Sequence, residues 1–572
     1  MGPTRFDCIA RVVADRRLSR RQAITQGGAT LAASALAAGL GRTVRSQDAT
    51  LQASPVTDPT GVSPLSLAGE RLVAFDAYVA TRLAELHIPG ASVAVLQDGE
   101  VVFLNGYGVR ELGRTEPVTP DTLLRIGSVT KSFSSLLTAA IVDAGRLSWE
   151  TPLVELLPTF AVADPELTQL LTVADAFCAC TGLPRRDFEL MFNARELTPE
   201  LLVAGIARIP LTASYGEEFQ YNNQLVAAGG YAAAVANGGA PNALGDAYAI
   251  ALRERVLNPI GMPRSTLALT DVLASGDYAA PHAEDIAGAV HPLPLMEDDS
   301  WIVPAAPAGA LWSSAREMAR YVQTQLRRGL NPDGAQVVSA ANLERTWKPG
   351  VALSVPPGTL VELAALSEQY ALGWFTGSYG GQRVILHGGS TYGFVSLVMF
   401  LPDADLGLVV LTNGPGVASG LLTYAVQFRL LEILFDRPAS FDAGLMPILA
   451  AAAEGRADLL AQLGNVDPAA VGPYLGRYTN ASLGEFTLAL REGRLIFDAG
   501  EIRSELRPQV DPAGVTTDYR MVDPPMAIPQ ALTVTFEDGV DGRPRAVLTV
   551  LAGQADADAD LAYQYDFVEP VA

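Results

Sequence analysis

Strand-like runs lie at both ends of one long stretch of this chain, and helical periodicity fills the space between them. Residues 91–96 and 101–105 flank Asp98-Gly99, a dipeptide suited to a tight hairpin turn. Residues 370–375, 383–386, 393–400 and 406–412 follow as further strands, and a helix over about 420–435 closes the unit. Helices are expected over 71–87, from 128 to about 144, over 315–326, and through most of 154–236, where Thr181-Gly182-Leu183-Pro184 interrupts them. Strands first, helices in the middle, then strands and a helix again imply one sheet assembled from both ends of the unit. Segregated runs of this kind predict an α+β sandwich with an antiparallel sheet and a helical insert.

Beyond residues 441–466, an Ala-rich helical connector, the pattern changes. Short alternating segments at 474–478, 486–490, 494–497, 531–536, 546–551 and 561–568 are split by Gly and Asp turns, which reads as a separate small antiparallel barrel or sandwich. The expected organisation is an export signal over 1–47, a linker over 48–66, a main unit over 67–440, the connector over 441–466 and the all-β unit over 467–572.

The chemistry gathers in three places. Ser128 and Lys131 stand three apart in Gly127-Ser128-Val129-Thr130-Lys131, and the chain holds one other lysine, Lys348, among many arginines. Positions i and i+3 share a helix face, so hydroxyl and amine can meet. A buried ammonium can lose its proton and serve as a base; a guanidinium cannot. By itself Ser128 reads first as a helix cap, and only its context favours the functional reading. Tyr221 and Asn223 follow a loop and open an apolar helix, where a phenol can relay a proton and an amide can orient a substrate carbonyl or the lysine. The alternatives are an aromatic core edge and a cap. His387-Gly388-Gly389-Ser390 comes after the strand at 383–386; adjacent glycines at a strand end let a substrate approach, and the Ser390 and Ser128 N–H groups can form an oxyanion hole. An ordinary glycine turn with a surface histidine is the competing reading.

In order and spacing these segments resemble the serine β-lactamase-like family of penicillin-binding carboxypeptidases, class C β-lactamases, esterases and D-aminopeptidases. The resemblance runs from about Leu72 to Leu434 and includes Ile88-Pro89-Gly90-Ala91, Thr181-Gly182-Leu183-Pro184 and Leu311-Trp312-Ser313-Ser314. It implies a β-lactamase-like αβα sandwich, with Ser128 as acylated nucleophile, Lys131 and Tyr221 as proton-transfer groups, and Asn223, His387, Gly388, Gly389 and Ser390 as substrate-binding positions. Residues 474–506 resemble the lipocalin-like barrel appended to one branch of these hydrolases. His387-Gly388-Gly389 departs from the Lys-Thr-Gly of β-lactamases and looks like the form of D-aminopeptidase-like and esterase-like members.

The expected activity is therefore acyl transfer from small peptides or esters, D-amino-acid peptides foremost, without metal or cofactor. A carboxylesterase, a weak β-lactamase or a penicillin-sensor-like module trapped as its acyl form are the other readings. A net charge of −22 leaves no basic footprint for nucleic acid. None of the four histidines lies in a His-Glu-x-x-His pattern, and Asp556, Asp558 and Asp560 lack the Gly and Glu of a calcium loop. Eight arginines against Asp7 and Asp15 in residues 1–47, with Arg20-Arg21 before an uncharged Ala/Gly-rich stretch, resemble a twin-arginine export signal. No integral membrane domain is expected, and a homo-oligomer is left open. Cys178 and Cys180 sit too close for an easy bridge, so free buried thiols are expected.

Overall fold

The computed structural model describes residues 63–192, 196–295, 301–354, 361–500, 502–524, 532–539, 542–550 and 561–571. The export signal, nearly all of the linker and the Asp556–Asp560 turn lie outside the described residues.

Helix α1 (Glu70–Glu85) leads into β1 (Gly90–Gln97) and β2 (Glu100–Gly108), joined at Asp98-Gly99, where φ is 52° and 78°. Two positive φ values in succession are what a type I′ turn requires, and Gly tolerates the second without cost. After the insert come β3 (Val351–Ala352), β4 (Gln369–Tyr370), β5 (Phe375–Tyr379), β6 (Gln382–Thr391), β7 (Phe394–Leu401) and β8 (Leu406–Thr412). They form one antiparallel sheet in the order β2-β1-β8-β7-β6-β5-β4-β3. β1 from the start of the chain lies directly against β8 from its far end, with Ala91 opposite Thr412.

All eight residues of β1 are buried, because both sheet faces are covered. Val93, Val95, Leu408 and Val410 pack on one side with Phe75 of α1 and with Leu422, Ala425 and Leu431. Ala94, Leu96, Val409 and Leu411 pack on the other with Phe133, Leu137 and the helical insert. The helix carrying Leu422, Gly416–Leu434, is long and apolar enough to cross a membrane, but most of it is buried inside the sandwich.

Two expectations need correcting. Much of 154–236 is loop rather than helix: short helices at Leu153–Leu156, Pro165–Leu170, Asp187–Met191 and Pro199–Gly205 are separated by irregular chain. Pro165 and Pro199 open two of these helices at the first turn, where no N–H is needed, and Asp164 caps the first of the two by accepting from the Glu166 and Leu167 N–H groups. Cys178 and Cys180 form a disulfide across a Cα–Cα distance of 5.2 Å, not free thiols. Ala179 adopts φ 52° between them, which bends the chain enough to bring the sulfurs together. The Gln220 N–H holds the Ala179 carbonyl at 2.8 Å, and the Gly216 N–H holds that of Cys180 at 2.7 Å.

Helix Phe441–Gln462 leads to a closed antiparallel barrel of β9 (Gly476–Asn480), β10 (Gly484–Arg491), β11 (Arg494–Asp498), β12 (Arg503–Val510), β13 (Thr516–Met521), β14 (Leu532–Asp538), β15 (Pro544–Val550) and β16 (Leu561–Glu569). Its interior is filled by Tyr478, Phe486, Phe497, Leu506 and Tyr565 among others. Sequence reading missed β12 and β13. In β12 the inward positions are Ser504, Leu506 and Pro508, so only one of three carries the apolar signature of a strand. The barrel docks on the main unit where the Ile286 N–H donates to the Val522 carbonyl at 3.0 Å, beside a cluster of Ile286, Leu459, Leu463 and Val522.

Candidate active site

The segment carrying Ser128 starts at Gly127, whose φ of 51° opens a 3₁₀ turn through Ser128 and Val129 into helix Thr130–Asp143. From Thr130 to Ile141 that helix is buried on every side. Strand β6 passes directly over it. A Cβ on Gly127 would come within 2.6 Å of the Ser390 nitrogen, and one on Gly389 within 2.0 Å of the Ile126 carbonyl oxygen. The Ser396 hydroxyl of β7 donates to that same Ile126 carbonyl at 2.7 Å. The close approach thus accounts for both glycines. Gly388, Gly389 and Ser390 lie within β6, not in a turn beyond a strand end, because their main chain continues the ladder with Leu397, Ser396 and Val395.

Lys131 is fully buried, and its Nζ stands 2.9 Å from Ser128 Oγ, which is itself half-buried. The same Nζ donates to the Ala308 carbonyl at 2.8 Å. It also stands 4.7 Å from the centre of the Tyr221 ring, and the Arg185 guanidinium 5.3 Å from it. Burial holds the Lys131 ammonium well below its ordinary pKa; Asp187 pulls it back upward and Arg185 adds to the depression. An amine kept neutral has a lone pair, and donating to Ala308 leaves that pair for the Ser128 hydroxyl proton.

Tyr221 lies at the entry to helix Asn223–Ala236, and three consecutive amides tie this entry to the segment after Pro184. Asn222 donates to the Pro184 carbonyl, Asn223 to Asp187 Oδ1 and Gln224 to the Arg186 carbonyl, each at 2.7 Å. Asn222 also caps the helix by accepting from the Leu225 N–H at 2.8 Å. Arg185 Nε donates to Asp187 Oδ2 at 2.6 Å. The Asn223 amide is therefore at the site but directed to Asp187 rather than to the lysine.

His387 is buried, not on the surface, and sits among Tyr370, Phe375 and Tyr221. Its Nδ1 lies 2.6 Å from the Gly388 carbonyl, which can only accept, so Nδ1 carries the proton and Nε2 accepts from the Tyr370 hydroxyl at 3.1 Å. Burial, with Lys131 nearby, pushes its pKa down to about 3. His387 is therefore a neutral wall of the site.

Ser128, Lys131, Tyr221, His387, Gly389 and Ser390 are thus brought together. Sequence reading did not find Ala308, Arg185 or Asp187. Ala308 contributes only a main-chain oxygen, which leaves no side-chain trace. Arg185 and Asp187 do follow the Thr181–Pro184 turn closely, but no spacing links them to Asn223. Among the described residues no group of three or more His, Cys, Asp or Glu side chains could hold a metal ion.

A family model described as Beta-lactamase matches residues 75–429. Unguisins hydrolase ungD' of Aspergillus campestris is 26% identical over 494 residues, covering 83% of this chain and 88% of that protein. Penicillin-binding protein 4 of Amycolatopsis lactamdurans is 28% identical over 351 residues, covering 61% and 87%. Among solved structures, the octameric penicillin-binding protein homologue from Pyrococcus abyssi superposes with a TM-score of 0.53 at 19% identity, covering 86% of this chain and 99% of that one.

Proposed function

The chain belongs to the beta-lactamase family and is a serine hydrolase; from that premise we propose that it works through an acyl-serine intermediate on small peptides or esters, D-amino-acid-containing peptides being the favoured substrates. The observation that carries this reading is the buried Lys131 amine, 2.9 Å from Ser128 Oγ and tethered to Ala308. Lys131 takes the serine proton as Oγ attacks the substrate carbonyl carbon. The oxyanion is received by the Ser128 and Ser390 N–H groups; loss of one such donor typically costs about 3 kcal/mol of barrier. Tyr221 passes a proton to the leaving amine or alcohol, and water then releases the acyl group.

The third motif favours open-chain amides and esters over carboxylate-bearing β-lactams. A buried, neutral His387 supplies no cation for a substrate carboxylate, the task that the lysine of Lys-Thr-Gly performs in β-lactamases. Export through the arginine-rich N-terminal segment belongs to the same proposal and is tested by fractionating a tagged full-length chain. The octamer named for the archaeal neighbour supports self-association as a further expectation, which sedimentation velocity tests.

The deciding experiment compares the protein with Ser128→Ala on D- and L-aminoacyl anilides, short-chain esters and a chromogenic cephalosporin. Turnover by the parent alone, with an acyl mass trapped on Ser128, supports the reading. Equal turnover by both proteins would overturn it.

A further inference from the structure

The short helix Asp187–Met191 belongs to two cores at once. Leu190 is buried in the core of the main unit. Phe188, Met191 and Phe192 pack against the barrel core, where Phe192 is 6% exposed and meets Phe497 edge-on at 6.3 Å between ring centres. Polar contacts follow the same route: the Tyr563 hydroxyl of β16 donates to Glu189 Oε1 at 3.1 Å. The other end of this helix is Asp187, which accepts from Asn223 and pairs with Arg185 beside Tyr221. A helix of five residues has no appreciable stability of its own, so its placement depends on what it packs against.

We propose that the barrel is a working part of the active site: by holding helix Asp187–Met191 it keeps Asp187 against Asn223 and Arg185, which makes Asp187 a positioning residue for the Ser128–Lys131–Tyr221 group. This rests on the acyl-serine reading above. The charged and titratable groups around the lysine are Asp187, Arg185, Tyr221 and His387. Of the two that act on the lysine from the Pro184–Phe192 segment, Asp187 favours its charged form and Arg185 opposes it. Moving or neutralising Asp187 therefore makes the lysine easier to deprotonate while loosening the geometry around it.

The test is steady-state kinetics against pH on the full chain, for Asp187→Asn, Phe192→Ala, Phe192→Leu and Tyr563→Phe. The expected result is a fall in kcat of about tenfold or more for the first two with little change in KM, of the size that small misplacement of catalytic groups produces. The acid limb of kcat/KM moves to lower pH in both, and Phe192→Leu restores most of the activity. Should Phe192→Ala not fold, Asp187→Asn and Tyr563→Phe carry the test, the latter with about a threefold loss of kcat. Parental kcat and an unmoved acid limb in Asp187→Asn and Tyr563→Phe would overturn the proposal, even if melting temperatures fall. Ser128→Ala separates the two levels: if that variant keeps parental activity, the acyl-serine reading fails and this proposal with it. If it is inactive while Asp187→Asn and Tyr563→Phe behave as the parent, only the role of the barrel fails.

Discussion

The segment Gly127–Asp143, which carries Ser128 and Lys131, and the segment Pro184–Phe192 both bring charge to the site, yet they are anchored in different ways. The first is enclosed by its own unit: Phe133 stacks on Tyr321 with ring centres 3.9 Å apart, and the Ser132 hydroxyl accepts from the Tyr321 hydroxyl at 2.8 Å. The second is held by three amides at the start of helix Asn223–Ala236, its cap Asn222 included, on one side and by the barrel on the other. Lys131 therefore owes its low pKa chiefly to local burial, while the charges that modulate it arrive from a segment the barrel supports. Chemistry is built where packing is deepest, and its tuning sits at the interface between units.

The most severe test of this contrast is Lys131→Arg. A guanidinium fills the space but keeps its proton, so acylation should drop by about 10⁴-fold, measured by single-turnover mass spectrometry. A fall comparable to the tenfold expected for Asp187→Asn would erase the distinction between the two anchors. Next comes Gly389→Ala: its Cβ cannot coexist with the Ile126 carbonyl at 2.0 Å, so β6 must move away from the nucleophile turn. We expect kcat to fall about 10²-fold, the scale of a lost oxyanion donor, with KM less affected. An unchanged kcat would show that the approach of β6 to Gly127 does not set the geometry.

Stability measurements sharpen the comparison further. His387 has a folded pKa of about 3 against an ordinary value of 6.5. The unfolded chain takes up that proton below pH 6.5 whereas the folded chain does not, so stability is lost as pH falls through this window. The loss amounts to about 3 kcal/mol between pH 6.5 and pH 4. Urea unfolding at both pH values should show His387→Gln losing less on acidification by about that amount; equal losses would contradict a buried neutral ring. The smallest effect expected is that of Tyr370→Phe, which removes the hydroxyl donating to His387 and should cost about 1–2 kcal/mol at pH 7 with kcat nearly unchanged.

Much of this was legible in the residues. The helix at 315–326 and the strand at 406–412 were expected with the bounds observed, because period and punctuation agree there. The hairpin at Asp98-Gly99 and the Ser128–Lys131 pair follow from turn chemistry and i,i+3 spacing, both local rules. The Cys178–Cys180 bridge was misread because spacing alone argues against it, and the positive φ of Ala179 that permits it is held by Gln220, far along the chain. β12 was invisible because a barrel strand held by neighbours on both sides can place serine and proline inward, and β13 because only Met521 of Thr516–Met521 is a buried apolar position.

By itself the sequence determined which groups could react: a hydroxyl and an amine three residues apart, and a phenol elsewhere in the chain. Tertiary structure alone decided the state of those groups. Burial strips the lysine of solvent, a distant main-chain carbonyl at Ala308 orients it, and a helix shared with the barrel supplies its counter-charge. The reason is physical: reactivity belongs to the side chain, but pKa and orientation belong to the field and packing around it, which the chain acquires only when remote segments meet.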